Sequence, residues 1–174
     1  MVIDAITAMS INGLITNGEG SDVRKWTSEE DKISYWNIRS QYNLLIVGGN
    51  TFKTMLNTFK HRDDVTVIVL TNHPEEFQGW ENKVEFSSSK PQELVDSLEK
   101  RGFNKALVIG GSYVYNSFLN SELINDFYLT IEPVVFPSGT PLFLTDIQQN
   151  FKLISIEKLN DNGTLQLTYR KVLL

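Results

Sequence analysis

Residues 105–120, KALVIGGSYVYNSFLN, leave the chain few alternatives. Residues 106–109 form an apolar run suited to a buried strand, and Gly110-Gly111-Ser112 then turns the chain. Val114, Tyr115, Phe118 and Leu119 follow at the spacing of one helix face. A strand, a glycine pair and a helix start make an anion site. Glycine lets the backbone approach a phosphate, and the free N–H groups and dipole of the helix start favour negative charge. A tight strand-to-helix turn needs glycine for steric reasons as well, so the pair alone assigns no function. A second junction of the same kind, Gly48-Gly49-Asn50-Thr51, follows the apolar run 43–47.

In chain order, residues 2–9 read as a buried strand and 10–25 as a long glycine- and asparagine-rich loop suited to a lid. Thr27 with Glu30 fits a capping box for a helix running to about Gln41. A short helix over 51–57, a strand over 65–70 and a short strand over 84–86 follow. Ser89 is the expected cap of a helix that Gly102 stops, and residues 105–109 form the next strand. Phe127, Leu129 and Ile131 alternate with polar neighbours as a half-buried strand. Residues 151–159 and 164–172 form a hairpin signalled by Asn162-Gly163. The order is α/β, closing with an antiparallel hairpin. Sheets of this kind bind ligands at the C-terminal ends of their strands. Those ends carry Gly48-Gly49-Asn50-Thr51, Thr71-Asn72 and Gly110-Gly111-Ser112, a set of backbone donors that suits a dinucleotide. The ordinary G-x-G-x-x-G fingerprint does not occur.

The 174 residues suit one domain, 1–174, with a real core. A net charge of −5 argues against nucleic-acid or anionic-membrane partners. Without cysteine there is no disulfide, zinc–thiolate site or thiol nucleophile. His61 and His73 have no metal-ligand spacing, and no metal is expected. The first residues lack a basic n-region, and no apolar run approaches membrane-spanning length, so a cytoplasmic protein is expected.

Several motifs together resemble the dihydrofolate reductase superfamily, including the reductase domain of riboflavin biosynthesis. Ala8-Met9-Ser10-Ile11-Asn12-Gly13-Leu14-Ile15 resembles the first strand and mobile loop in their riboflavin-type form, with Asn12 where an aspartate is usual. Trp26 and Asp31 match the tryptophan and catalytic carboxylate of folate reductases. Val47-Gly48-Gly49-Asn50-Thr51-Phe52 resembles M-G-R-x-T-[FWY], with Gly49 replacing arginine. Ile68 to Asn72 resembles the strand that meets the adenosine 2′-phosphate, and Ile109 to Tyr115 the diphosphate turn. Residues 132–143 resemble the riboflavin-type P-V-x-x-G-x-G-x-P-L-F. The phrase P-L-P-x-R, which places a folate-binding arginine, is missing.

The resemblance implies a three-layer fold, a mixed central sheet flanked by helices, and an NADPH-dependent reductase. Asp31 carries over as the catalytic residue. The substrate is assigned to Ala8, Trp26, Asp31, Tyr35, Phe52 and Thr130. The cofactor is assigned to Ala8, Ile15, Gly48, Gly49, Asn50, Thr51, Thr71, Asn72, Ile109, Gly110, Gly111, Ser112, Tyr113, Val114, Tyr115 and Thr140. Lys53 is a stand-in for the missing arginine, and Arg39, Lys53 and Arg62 are candidates for a substrate phosphate or carboxylate. The lead acceptor is a ribosylaminopyrimidine phosphate. Dihydrofolate is the alternative, and a catalytically silent nucleotide binder of the same fold is a third reading. A stand-alone domain is expected, because no cysteine- and histidine-bearing deaminase half precedes it. Riboflavin-type members imply a homodimer, most folate reductases a monomer.

Overall fold

The structure is a computed structural model and describes residues 1–18 and 22–172. Eight strands form one sheet in the order β4-β3-β2-β5-β1-β6-β8-β7. They are β1 (Val2–Ser10), β2 (Leu44–Gly48), β3 (Thr66–Leu70), β4 (Glu85–Ser87), β5 (Lys105–Val108), β6 (Asp126–Glu132), β7 (Phe151–Lys158) and β8 (Leu165–Lys171). The helices are α1 (Glu29–Arg39), α2 (Gly49–Met55), α3 (Pro91–Lys100) and α4 (Ser112–Asn120). Strands β1 to β6 pair in parallel, so all six present their C-terminal ends at one edge of the sheet. Strand β8 joins β6 antiparallel and carries β7 outward as the edge strand, which completes the expected hairpin.

The parallel strands are buried on both faces, which is why β2, LLIVG, reads as an unbroken apolar run. One face packs on α3 and α4 through Leu94, Val95, Leu98, Val114, Phe118 and Leu119. The other packs on α1 and α2 through Tyr35, Ile38, Phe52 and Met55. Three layers result. Among the described residues no helix is long and apolar enough to cross a membrane.

Local chemistry moves several expected boundaries. The N-cap of α1 is Ser28, not Thr27, and its side chain accepts from the Asp31 amide at 3.2 Å. Helix α3 begins after Lys90 rather than Ser89, because Pro91 has no N–H to lose and suits a first helical position. The hairpin loop spans Asn160 to Gly163, with the Asn160 side-chain oxygen accepting from both Gly163 N and Thr164 N at 3.1 Å. Gly163, at φ +97°, supplies the left-handed residue.

The segment from Ser10 to Gly18 is docked rather than free. Ile11 N donates to Val134 O, Ile15 N to Thr140 O, and Leu142 N to Gly13 O, all at 2.8–2.9 Å. Asn12 accepts from Phe136 N and donates to Phe136 O. Gly139 lies so close that a Cβ there would meet Thr16 O at 2.0 Å. The expected lid includes residues 19–21, which lie outside the described residues.

Candidate active site

Asp31 occupies the third position of α1, the place from which a capping-box acid reaches back to the N-cap amide. That amide is already taken. Glu132, the last residue of β6, accepts from Ser28 N at 2.7 Å and from Ser28 Oγ at 2.8 Å. Its other oxygen accepts from Thr164 Oγ1 at 2.7 Å. The Asp31 carboxyl is therefore not held by its own helix end. It faces the hydroxyls of Thr130 and Thr27, both of which favour its charged form.

Sheet register supplies the floor. Ala8 pairs with Thr130, and Thr130 with Gln166, so the three lie in one row across β1, β6 and β8. Gln166 Oε1 accepts from Thr130 Oγ1 and from Ser34 Oγ of α1, each at 3.0 Å.

Asp31 is 8% exposed. Burial raises its pKa above the ordinary 3.8, and the Glu132 charge pushes the same way against the two hydroxyls. Two buried carboxylates with different surroundings divide the labour. Glu132 is bound by three donors, whereas burial raises the Asp31 pKa. The Trp26 ring meets Phe136 edge-on at 5.1 Å, and its buried Nε1 has no hydrogen-bond partner among the described residues. A buried donor left unpaired costs free energy unless a ligand satisfies it.

The two glycine junctions pack on each other. Gly48 N donates to Gly110 O at 2.7 Å, and a Cβ at Gly111 would meet Thr51 Oγ1 at 2.6 Å. Gly110 has φ +124°, and the Gly110–Gly111 peptide is cis. A Cβ at Gly48 would meet Val114 Cγ2 at 2.9 Å, and one at Gly49 would meet Thr71 at 3.2 Å. Helix α4 starts at this spot, and its first-turn amides have no partner within their own helix. The Ser112 hydroxyl donates to Pro141 O at 2.8 Å, so only its backbone N–H remains for an anion. Thr71 Oγ1 accepts from His73 N at 3.0 Å, and Asn72 is exposed at the end of β3.

Several expected site residues lie elsewhere. Phe52 is 0% exposed, enclosed by Phe59, Phe77 and Trp80, because it is on the inward face of α2. It does not line a cleft. Val114 and Tyr115 support the glycine turn from the core side, Tyr115 Oη donating to Ile6 O at 2.6 Å. Tyr113 is 86% exposed, one position off the inward stripe of α4. Ile109 is partly buried against the α1/α2 core. Lys53 pairs with Glu76 at 2.6 Å and is not free to replace the missing arginine. Arg39 and Arg62 lie at the opposite edge of the sheet from Asp31, beside the starts of β2 and β3. Tyr35 is one turn beyond Asp31 and partly buried, Asn50 and Thr140 are exposed, and Ile15 packs partly buried against the α4 side.

Sequence reasoning gave no site role to Glu132, Ser28, Thr27 or Gln166. The alternation in β6 was the available signal, since Tyr128, Thr130 and Glu132 share one face. Arg24 also escaped notice; its guanidinium is held by Asp22 and donates to Thr58 Oγ1 at 2.6 Å, and its charge reaches Tyr35.

The model of the RibD C-terminal domain family matches residues 2–165. The chain belongs to that family. The Bacillus subtilis protein YwjB is 27% identical over 165 residues, 91% of this chain and 88% of its own. YyaP of the same organism is 23% identical over 174 residues, 93% and 90% of the two chains. A crystal structure of a putative riboflavin biosynthesis protein from Shewanella sp. PV-4 superposes with a TM-score of 0.83 at 24% identity, covering 99% of this chain and all of that one. The deaminase/5-amino-6-(5-phosphoribosylamino)uracil reductase of Thermotoga maritima gives 0.75 at 18% identity, over 98% of this chain and 56% of that one. The fold of this RibD C-terminal domain protein is therefore that of riboflavin-biosynthesis reductases.

Proposed function

We propose that the protein is a nicotinamide-dependent reductase that converts the ribose C1′ of a ribosylaminopyrimidine phosphate to a ribityl group, with NADPH as reductant. The observation that carries this reading is the buried Asp31 carboxyl, its pKa raised by burial, facing Thr130 in the row Ala8–Thr130–Gln166, with Trp26 Nε1 buried and without a partner among the described residues. Family membership supports it.

The residues present fit a dinucleotide. Gly110, Gly111 and the first amides of α4 form a turn packed so closely on Thr51 that a Cβ at Gly111 would meet Thr51 Oγ1 at 2.6 Å, and the free N–H groups of that helix start suit a diphosphate. Thr71 and Asn72 are the groups for the 2′-phosphate, and Ala8, Ile15 and Thr140 those for the nicotinamide. When bound, the dihydronicotinamide supplies a hydride. Reduction consumes a proton as well, and Asp31, its pKa raised by burial, is the group placed to deliver one. The Trp26 Nε1–H donates to a substrate acceptor.

The test is oxidation of NADPH by the purified protein with the ribosylaminopyrimidine phosphate or dihydrofolate as sole acceptor. Turnover with the first and none with the second is expected. Turnover with dihydrofolate alone overturns the substrate assignment, and NADPH binding without turnover on either makes the protein a silent binder. NADH in place of NADPH decides the cofactor, since Lys53 is neutralised by Glu76.

The same reading takes the protein as a homodimer, supported by the edge strand β7. Leu153, Ile154 and Ile156 are exposed along it, an open template for another strand. Antiparallel pairing with a second copy, centred between Ile154 and Ser155, sets Lys152 across from Glu157 and Leu153 across from Ile156. Light scattering should give a dimer for the wild type and a monomer for Ile156→Lys.

A further inference from the structure

At the opposite edge of the sheet from Asp31, a cavity of about 300 Å³ opens among the end of α1 and the starts of β2, β3 and β5. Its charged and amide lining is Arg39, Gln41, Asn43, Arg62, Asp64, Asn104 and Lys105. Three cations face one carboxylate there, in a chain whose net charge is −5. The sign of this patch opposes that of the molecule.

The pairing inside the cavity is incomplete. Arg62 takes both oxygens of Asp64, Nε to Oδ1 at 3.0 Å and Nη2 to Oδ2 at 2.6 Å. Asp64 is the carboxylate whose charge reaches Arg39, but no hydrogen bond or ion pair joins the two among the described residues. Arg39 is 8% exposed. Its guanidinium lies 5.8 Å from the Trp36 ring and makes no hydrogen bond or ion pair among the described residues. The last carbonyls of α1 do not serve it either. Trp36 O accepts from Ser40 N, Ile38 O from Gln41 N, Arg39 O from Tyr42 N, and Asn37 O from Ser40 Oγ and Gln41 Nε2. Burial lowers the Arg39 pKa, and the Arg62 charge adds to the effect. Lys105 stands with its Nζ 3.9 Å from the Tyr42 ring centroid, at the start of β5.

A buried cation without a hydrogen-bonded counter-ion is costly, and such groups are ordinarily paired. The planar guanidinium suits an oxyanion in particular. We propose that this cavity binds the phosphate group of a small molecule, with Arg39 as the buried anchor and Lys105, Asn43 and Asn104 as donors at the rim. The volume is at the lower end of small-ligand pockets, enough for a phosphate and a short substituent. The site is separate from the glycine turns, which lie at the other edge of the sheet.

Titration of the full chain with inorganic phosphate, at ionic strength held constant with chloride, tests this by ¹H–¹⁵N spectroscopy. Saturable shifts are expected at the Arg39 Nε–H and at the amides of Asn43, Asn104 and Lys105. They should vanish in Arg39→Met, and Lys105→Met should weaken the affinity about tenfold. Should Arg39→Met fail to fold, the wild-type Arg39 signal and the Lys105→Met titration decide the matter. Shifts confined to Gly110, Gly111 and Ser112, or no saturable shift at Arg39, would overturn the proposal. Equal saturation by acetate would assign the cavity to carboxylates and overturn the phosphate class.

Discussion

Glu132 Oε1 accepts two hydrogen bonds from Ser28, one from its amide at 2.7 Å and one from its hydroxyl at 2.8 Å. A strand end thereby caps a helix 104 residues earlier in the chain, three positions before Asp31. The amide that Asp31 would otherwise accept is occupied, so the carboxyl turns to Thr27 and Thr130 instead. One consequence is expected of Glu132→Gln. The Asp31 pKa falls, because a neighbouring negative charge is lost, and the carboxyl carbon of Asp31 should titrate at lower pH by NMR. Glu132→Ala additionally leaves Ser28 and Thr164 donors unpaired and should cost about 3 kcal/mol of stability in denaturant unfolding.

Asp31→Asn should separate stability from turnover. Burial holds the folded-state pKa of Asp31 above its ordinary 3.8, so between those two values the native state binds more protons than the unfolded chain. The resulting stability is fully present below the ordinary value and is lost as pH rises through the folded one. Asparagine does not titrate. The variant should melt higher than wild type at about pH 7 and lose that advantage at about pH 3. Its turnover should fall at least about a hundredfold, the ordinary weight of a positioned acid.

Phe52→Ala distinguishes a core residue from a substrate contact. With Phe59, Phe77 and Trp80 around a side chain of 0% exposure, the variant should lose about 3–5 kcal/mol of stability. At temperatures where it stays folded, KM should be unchanged. A raised KM at full stability would return Phe52 to the substrate pocket.

Gly111→Ala should weaken nucleotide binding by pushing Thr51 Oγ1, 2.6 Å from the added carbon, out of place. Thr51→Ala removes that oxygen and leaves the Thr51 Cβ 4.0 Å away. The double variant should therefore recover most of the affinity lost in Gly111→Ala, measured by calorimetry as a coupling between the two sites. No recovery would mean that the obstruction is to the ligand itself.

The order of elements, the glycine junctions and the burial of β2 and β5 were legible in the sequence, because local rules govern them. Steric freedom at Gly110, an apolar run before it and a helical stripe after it are properties of neighbours along the chain. The same rules put Phe52 at a plausible place by motif, yet could not say which way α2 would turn it; packing against Phe77 and Trp80 decided that. They put the cap of α1 at Thr27, whereas Glu132 selected Ser28 by reaching it from another strand. The row Ala8–Thr130–Gln166 depends on the pairing of three strands, and the unpaired Arg39 on which carboxylate Arg62 had already taken. Sequence by itself determined the backbone's turns and the layers it must bury. Only tertiary structure decided which polar groups were satisfied and which were left for a ligand, because that depends on contacts between residues far apart in the chain.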